Sequence, residues 1–250
     1  MNDWDEIKQW RKARRKELIA FRANLSREQR ARWNERITDL LEQGFPMLAG
    51  TVIGFCWPYQ GEFDARFAIR EWRRRGATAV LPEVVAKDAP LTFRKWWPGA
   101  PMRPGVYDIP VPAGTEIVPP DAAVVPMNGF DNEGYRIGYG GGYFDRTLAA
   151  LAPRPLAIGV SYELGRLVTI FPQPHDIPMD FVVTEAAVYA ADGGSLAPLD
   201  VAHCRERAAR LLAMRGLPRR QSGSAPGGYN SPACYAHQFP GYFGEPDEHH

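Results

Sequence analysis

The chain has 250 residues, 45% of them hydrophobic and 24% charged, with a formal net charge of +1, so it fits one domain with extensions or at most two small domains, and global charge selects no partner. Three scattered cysteines (Cys56, Cys204, Cys234) with no Cys-x-x-Cys pair argue against a disulfide framework and a zinc ribbon. The charged start from Met1 to Glu6 argues against a signal peptide, and no apolar run approaches the roughly 18 residues of a membrane span, so a soluble, cytoplasmic protein with no membrane partner is expected.

Residues 3 to 24 read as an amphipathic helix. Ile7, Trp10, Leu18, Phe21 and Leu25 recur on helical spacing, and Lys8, Arg11, Lys12, Arg14, Arg15 and Lys16 fill the remainder. Ser26 with Gln29 forms a capping-box pattern for a second helix, which Gly44 and Pro46 end. Thr51 to Trp57 is a buried-strand candidate, Ala65 to Arg75 a helix closed by Gly76, and Thr78 to Val85 a second strand. This strand–helix–strand order argues for an α/β unit with a right-handed crossover and a mainly parallel sheet. Residues 98 to 120 are proline-rich and read as an irregular connection. Ala122 to Pro126 is a third strand, Asp131 to Gly134 a turn, Tyr143 to Leu151 a helix, and Leu156 to Ser161 and Phe181 to Ala190 further strands.

The core is expected to end near residue 195, giving a domain over residues 1–195. A basic helix follows within 196–217. From 218 to 250 the composition, with Gln221 to Gly228 rich in serine, glycine and proline, predicts a disordered tail. Cys234-x-x-His237 in that tail has too few ligands of defined spacing for a metal site.

The segment richest in chemistry is Arg136-Ile137-Gly138-Tyr139-Gly140-Gly141-Gly142-Tyr143-Phe144-Asp145. Four glycines in five residues, after a strand and before a helix, let backbone N–H groups approach an anion at a helix N-terminus. Arg136 and Arg146 flank the loop and suit phosphate oxygens. A dinucleotide fingerprint from Gly138 needs glycine where Tyr143 stands, and no Lys-Ser/Thr follows for a P-loop. By composition alone such a turn is merely structural about as often as it binds phosphate.

Gly138 to Arg146, preceded by Pro126-Met127-Asn128-Gly129-Phe130-Asp131 and Arg136, resembles the signature of the 5-formyltetrahydrofolate cyclo-ligase family. Asp176-Ile177-Pro178-Met179-Asp180-Phe181-Val182-Val183-Thr184-Glu185 resembles that family's closing strand, and the basic first helix and capped second helix match it in order. The resemblance covers roughly residues 5 to 190 and implies an α/β, three-layer, Rossmann-like fold, with a mainly parallel sheet flanked by helices and a helical N-terminus. It implies an enzyme that uses ATP and Mg2+ to cyclise 5-formyltetrahydrofolate to 5,10-methenyltetrahydrofolate. Position by position, it assigns Arg11, Arg15, Arg136, Ile137, Gly138, Tyr139, Gly140, Gly141, Gly142, Tyr143 and Phe144 to ATP. Glu62 meets the pterin, with Tyr139, Gly140, Gly141, Gly142 and Tyr143 also touching the folate. Asp145 and Asp180 fall at the positions associated with magnesium. Partners are then small molecules and no nucleic acid, with a monomer favoured. The stretch from Phe55 to Glu62 departs from the pattern by one additional residue and by Trp57-Pro58. Two alternatives follow: a paralogue that binds ATP but acts on a different substrate or none, and a nucleic-acid-binding module built on the basic helices.

Overall fold

The two N-terminal helices form where the sequence places them. The computed structural model describes residues 3–192 and 194–219, with α1 at Trp4–Ala23 and α2 at Arg27–Gly44. Ser26 caps α2 by accepting a hydrogen bond from the Gln29 backbone N–H at 3.1 Å, satisfying one of the orphan donors of a helix start. What α1 buries differs from the expected apolar face. Ile7, Leu18 and Arg22 are its buried residues, and Phe21 is 61% exposed. The inward stripe carries Arg11, Arg15 and Arg22 because their guanidiniums satisfy backbone carbonyls of neighbouring loops, and buried carbonyls require such partners.

The remaining helices are α3 (Arg66–Arg74), α4 (Tyr143–Ala150) and α5 (Val201–Met214). The strands are β1 (Val52–Gly54), β2 (Thr78–Glu83), β3 (Thr92–Trp96), β4 (Met102–Pro104), β5 (Pro110–Pro112), β6 (Ala122–Pro126), β7 (Gly129–Asp131), β8 (Arg136–Ile137), β9 (Leu156–Val160), β10 (Arg166–Leu167), β11 (Phe181–Val183), β12 (Val188–Asp192) and β13 (Ser195–Leu199). The main sheet has the order β13-β12-β11-β9-β6-β1-β2-β3. Its centre, β2-β1-β6-β9-β11, is parallel throughout, while β3, β12 and β13 add antiparallel edges. Numbered by chain order, the parallel strands run 2-1-3-4-5, the doubly wound arrangement whose direction of winding reverses between the first and third; here these are β1 and β6.

Both faces of the sheet are covered, as parallel sheets require. On one face Ile53, Val124, Ile158 and Phe181 pack with Ile37 and Leu41 of α2, Ile69 and Trp72 of α3, and Cys204, Ala208 and Leu212 of α5. On the other, Ala123, Val125, Ala157 and Val182 meet Leu148 of α4, Phe130 and Met179. Alternate residues of β6 therefore serve opposite cores, which follows from the two-residue period of a strand.

Four expectations are corrected by this arrangement. The proline-rich segment contains the β4–β5 hairpin, in which each strand is short enough for proline to sit at its ends. The strand expected over Phe181 to Ala190 is two strands joined by a tight turn, closed by Thr184 N–H donating to Ala187 O at 3.0 Å. The strand expected from Thr51 to Trp57 stops at Gly54. The core also continues past residue 195, because α5 contributes Cys204, Ala208 and Leu212 to the main cluster and Leu217 joins them. The region of the expected tail beyond Arg219, with Cys234 and His237, lies outside the described residues. Among the described residues no helix is long and apolar enough to cross a membrane.

A candidate nucleotide and substrate site at the switch point

Parallel strands place all their C-terminal ends on one edge, and a crevice opens there where the winding reverses. At that place Cys56, Glu62 and Phe63, which follow β1, meet Met127 after β6 and Ser161 and Tyr162 after β9. They line a small polar-and-apolar cleft that is partly open to solvent.

Glu62 is the buried acid of this cleft, only 6% exposed. Its Oε2 accepts from Tyr59 N–H at 3.0 Å and its Oε1 from the Tyr139 hydroxyl at 2.8 Å, with Arg22 Nη2 4.0 Å away. Burial pushes its pKa up, and Arg22 and the two hydrogen bonds oppose that shift. The chain reaches Glu62 through consecutive left-handed residues, Gln60 at φ 47° and Gly61 at φ 77°. Gln60 pays for this geometry with a contact: its carbonyl accepts from Arg22 Nε at 2.9 Å.

The glycine loop runs from β8 to α4 beside the cleft. Gly140 and Gly142 hold φ of +94° and +63°, a region that side chains with a Cβ rarely adopt. The Arg15 guanidinium lies against Gly140, 3.2 Å from where a Cβ would stand. Arg15 Nε donates to Gly138 O, which leaves its two terminal nitrogens facing the loop with no hydrogen-bond partner among the described residues. Burial and the neighbouring Arg11 lower the Arg15 pKa, so the site favours a compensating anion. Arg146 bonds Gly141 O and lies over the Tyr143 ring. Tyr139, Gly140 and Gly141 are exposed, as a surface that approaches a ligand must be, and Gly138 and Gly142 are half-buried.

Other residues that the sequence singles out take structural roles. Arg11 pairs with Asp176 through both terminal nitrogens and donates to Ile170 O and Phe171 O, each at 2.9 Å; it anchors α1 and is not free for a phosphate. Arg136 is buried and donates to Asp145 Oδ2 at 2.9 Å and Ile177 O at 3.3 Å. Asp145 Oδ1 accepts from Ile177 N–H at 3.1 Å, so this pair locks the start of α4 to the segment before β11. Ile137 is buried in the small sheet β10-β7-β8, which delivers the loop. Phe144 packs between two apolar clusters.

Asp180 is engaged by other groups in this structure. It immediately precedes β11, and its oxygens accept from Arg154, from Arg215 twice and from Ala157 N–H, at 2.6–2.8 Å. A carboxylate saturated in this way has no lone pair directed at a cation. Asp145 and Asp180 thus each satisfy arginine and backbone donors, and among the described residues no three His, Cys, Asp or Glu side chains converge as metal ligands.

Two residues of the site escape the sequence reading. Arg22 is 4% exposed and touches Tyr59, Gln60, Glu62 and Tyr139 at once. Its register with Arg11 and Arg15 along α1 is the signal that marks it. Asn128, next to cleft-lining Met127, is 3% exposed, and neither atom of its side-chain amide has a protein partner. Such burial is costly, and no pattern in the sequence reveals it.

The sequence model of the 5-formyltetrahydrofolate cyclo-ligase family matches residues 7–185. A 5-formyltetrahydrofolate cyclo-ligase of Haemophilus influenzae is 24% identical over 173 residues, spanning 66% of this chain and 92% of its own. One of Mycolicibacterium smegmatis is 35% identical over 119 residues, spanning 44% and 60%. Among solved structures, a 5,10-methenyltetrahydrofolate synthetase of Aquifex aeolicus superposes with a TM-score of 0.63 and 31% identity, over 75% of this chain and 96% of that one. A second, from Mycoplasma pneumoniae, shares the fold with a TM-score of 0.58 at 22% identity, over 70% and 98%.

Proposed function

The chain belongs to the 5-formyltetrahydrofolate cyclo-ligase family, and from that premise we propose that it closes 5-formyltetrahydrofolate to 5,10-methenyltetrahydrofolate with ATP as co-substrate. In this reaction the formyl oxygen attacks the γ-phosphate and displaces ADP, N10 then attacks the activated formyl carbon, and phosphate and the N10 proton leave. The protein's contribution is to hold two reactants in line and to neutralise charge that develops on the phosphoryl group. Arg15 and the backbone of Gly138 to Gly142 take the phosphates in this reading, because they present unpaired donors on an exposed loop. Arg136 and Asp145 act one step behind, by fixing that loop to α4. The residues present do not fit a resident two-carboxylate magnesium site, so magnesium enters as part of the nucleotide substrate.

One observation carries the proposal: Glu62 of the cleft and Tyr139 of the glycine loop share a hydrogen bond of 2.8 Å. A pterin accepted by Glu62 therefore lies against the same loop that receives ATP. The paralogue reading rests on the additional residue before Glu62; against it stands Glu62 lining the cleft beside the glycine loop. The nucleic-acid reading loses support because Arg11, Arg15 and Arg22 face the protein. Incubation with 5-formyltetrahydrofolate and Mg–ATP should produce the methenyl absorbance with stoichiometric ADP. Absence of both products in folded protein overturns the proposal.

A further inference from the structure

Arg22 stands behind the two residues that the proposed reaction brings together. Its Nη2 donates to the Tyr139 hydroxyl at 2.9 Å, and that hydroxyl lies 2.8 Å from Glu62 Oε1. A guanidinium has donors only. The single phenolic proton must therefore point at Glu62, and the order Arg22 to Tyr139 to Glu62 has one direction. Arg22 Nε and Nη2 also hold Gln60 O and Tyr59 O, which fixes the strained turn that presents Glu62.

We propose that Arg22 is a positioning residue for the folate half of the reaction: by directing the Tyr139 proton onto Glu62, it holds that carboxylate as an acceptor for a pterin N–H. This inference rests on the functional reading given above, but its first test does not. The groups facing Glu62 are Arg22 from α1, Cys56 and the Tyr59 N–H from its own connection, Tyr139 from the loop and Tyr162 after β9, while Arg30 from α2 lies against the neighbouring Gly61. Arg22 is the cation that acts on the carboxylate, 4.0 Å from Oε1, and Arg30 Nη2 donates to Arg22 O and Leu25 O. Burial raises the pKa of Glu62 and of Tyr139, so loss of Arg22 lets burial act on Glu62 unopposed by its principal cation. The carboxyl group then holds its proton to higher pH.

The ligand-free protein gives the first readout, by carbon NMR titration of the Glu62 carboxyl, assigned with Glu62→Gln. Arg22→Gln should shift that titration upward by roughly one pH unit or more, and Arg22→Lys should recover most of the shift. An unchanged titration in folded Arg22→Gln, or a Lys variant no closer to the parent than the Gln variant, overturns the proposal. The second readout is catalytic. At pH below the Glu62 titration, Arg22→Gln should raise KM for 5-formyltetrahydrofolate about tenfold, the equivalent of one unit, with kcat and the KM for ATP much less affected. An equal loss in both substrates' KM overturns it. If Arg22→Gln fails to fold, Tyr139→Phe carries the test, since it removes the relaying hydroxyl and keeps the guanidinium; the same upward shift is expected, and no shift refutes the relay. A parent protein that does not cyclise the folate removes the functional reading alone, because the NMR titration still decides what Arg22 does to Glu62.

Discussion

Arg11 and Asp176 meet side-on in a two-point ion pair, Nη1 to Oδ1 at 3.1 Å and Nη2 to Oδ2 at 2.6 Å. Four residues further along the same helix, Arg15 leaves its terminal nitrogens open beside the glycine loop. Two neighbouring arginines of one stripe are thus assigned different work by what lies opposite them, and their variants should separate cleanly.

Arg11→Ala leaves Asp176, which is 9% exposed at its side chain, without its cation. The expected cost is about 3 kcal/mol, or a melting temperature roughly 6–12 °C lower for a chain of this size. Arg15→Gln should leave the melting temperature within a few degrees and raise the KM for ATP about tenfold or more, as the loss of a charge-assisted hydrogen bond costs about 1.5–3 kcal/mol. Calorimetry and steady-state kinetics on both variants decide the assignment, and a purely kinetic defect in Arg11→Ala would reverse it.

Gly140→Val tests the loop itself. The position combines φ of +94° with an Arg15 contact at 3.2 Å from the missing Cβ, so valine strains the backbone and displaces the guanidinium together. Titration calorimetry should find ATP binding at least about tenfold weaker, from strain of order 1–3 kcal/mol, in a protein whose far-UV spectrum is unaltered. Parental affinity in this variant means the loop is only a turn.

For Asp180→Asn the expectation is a stability defect with no change in the magnesium dependence of the rate. The substitution leaves Arg154 and Arg215 facing a neutral group, at a cost of about 3 kcal/mol. A rate that demands much more magnesium in the variant, at parental stability, would return Asp180 to the metal.

Leu212→Ala probes α5. Leu212 is 5% exposed in the main core, so its truncation should lower unfolding stability by about 2–5 kcal/mol in a denaturant titration. A change below about 0.5 kcal/mol would place α5 outside the cooperative unit.

Local patterns were legible in the sequence and relations between distant segments were not. The Ser26 cap, the Gly44 stop and the strand–helix alternation depend on neighbours in the chain, and they hold. The resemblance of the glycine loop and of the Asp176–Glu185 block led to the correct family. The roles of Arg11, Asp145 and Asp180 depend on which groups lie opposite them in space, and a motif position carries no such information. Arg22 illustrates the same point from the other side: a basic residue on a basic helix reads as solvated surface until the Gln60 carbonyl and the Tyr139 hydroxyl are found against it. The β4–β5 hairpin was hidden because proline argues against a strand, and only the pairing shows that these prolines sit at strand ends.

The ion pairs at the start of the parallel strands have an evolutionary consequence. Asp121 before β6 and Asp180 before β11 bind Arg219 and Arg215, stitching the segment after β13 to the N-terminal ends of the parallel strands. Substitutions at that edge and around Glu62 have no shared partner, and effects at such separated sites add nearly independently. Lineages can therefore raise or lower thermal tolerance through the aspartate–arginine edge while their substrate preference drifts at the other. Recombination between relatives that keeps Asp121, Asp180, Arg215 and Arg219 together should yield chimaeras that inherit robustness from one parent and chemistry from the other.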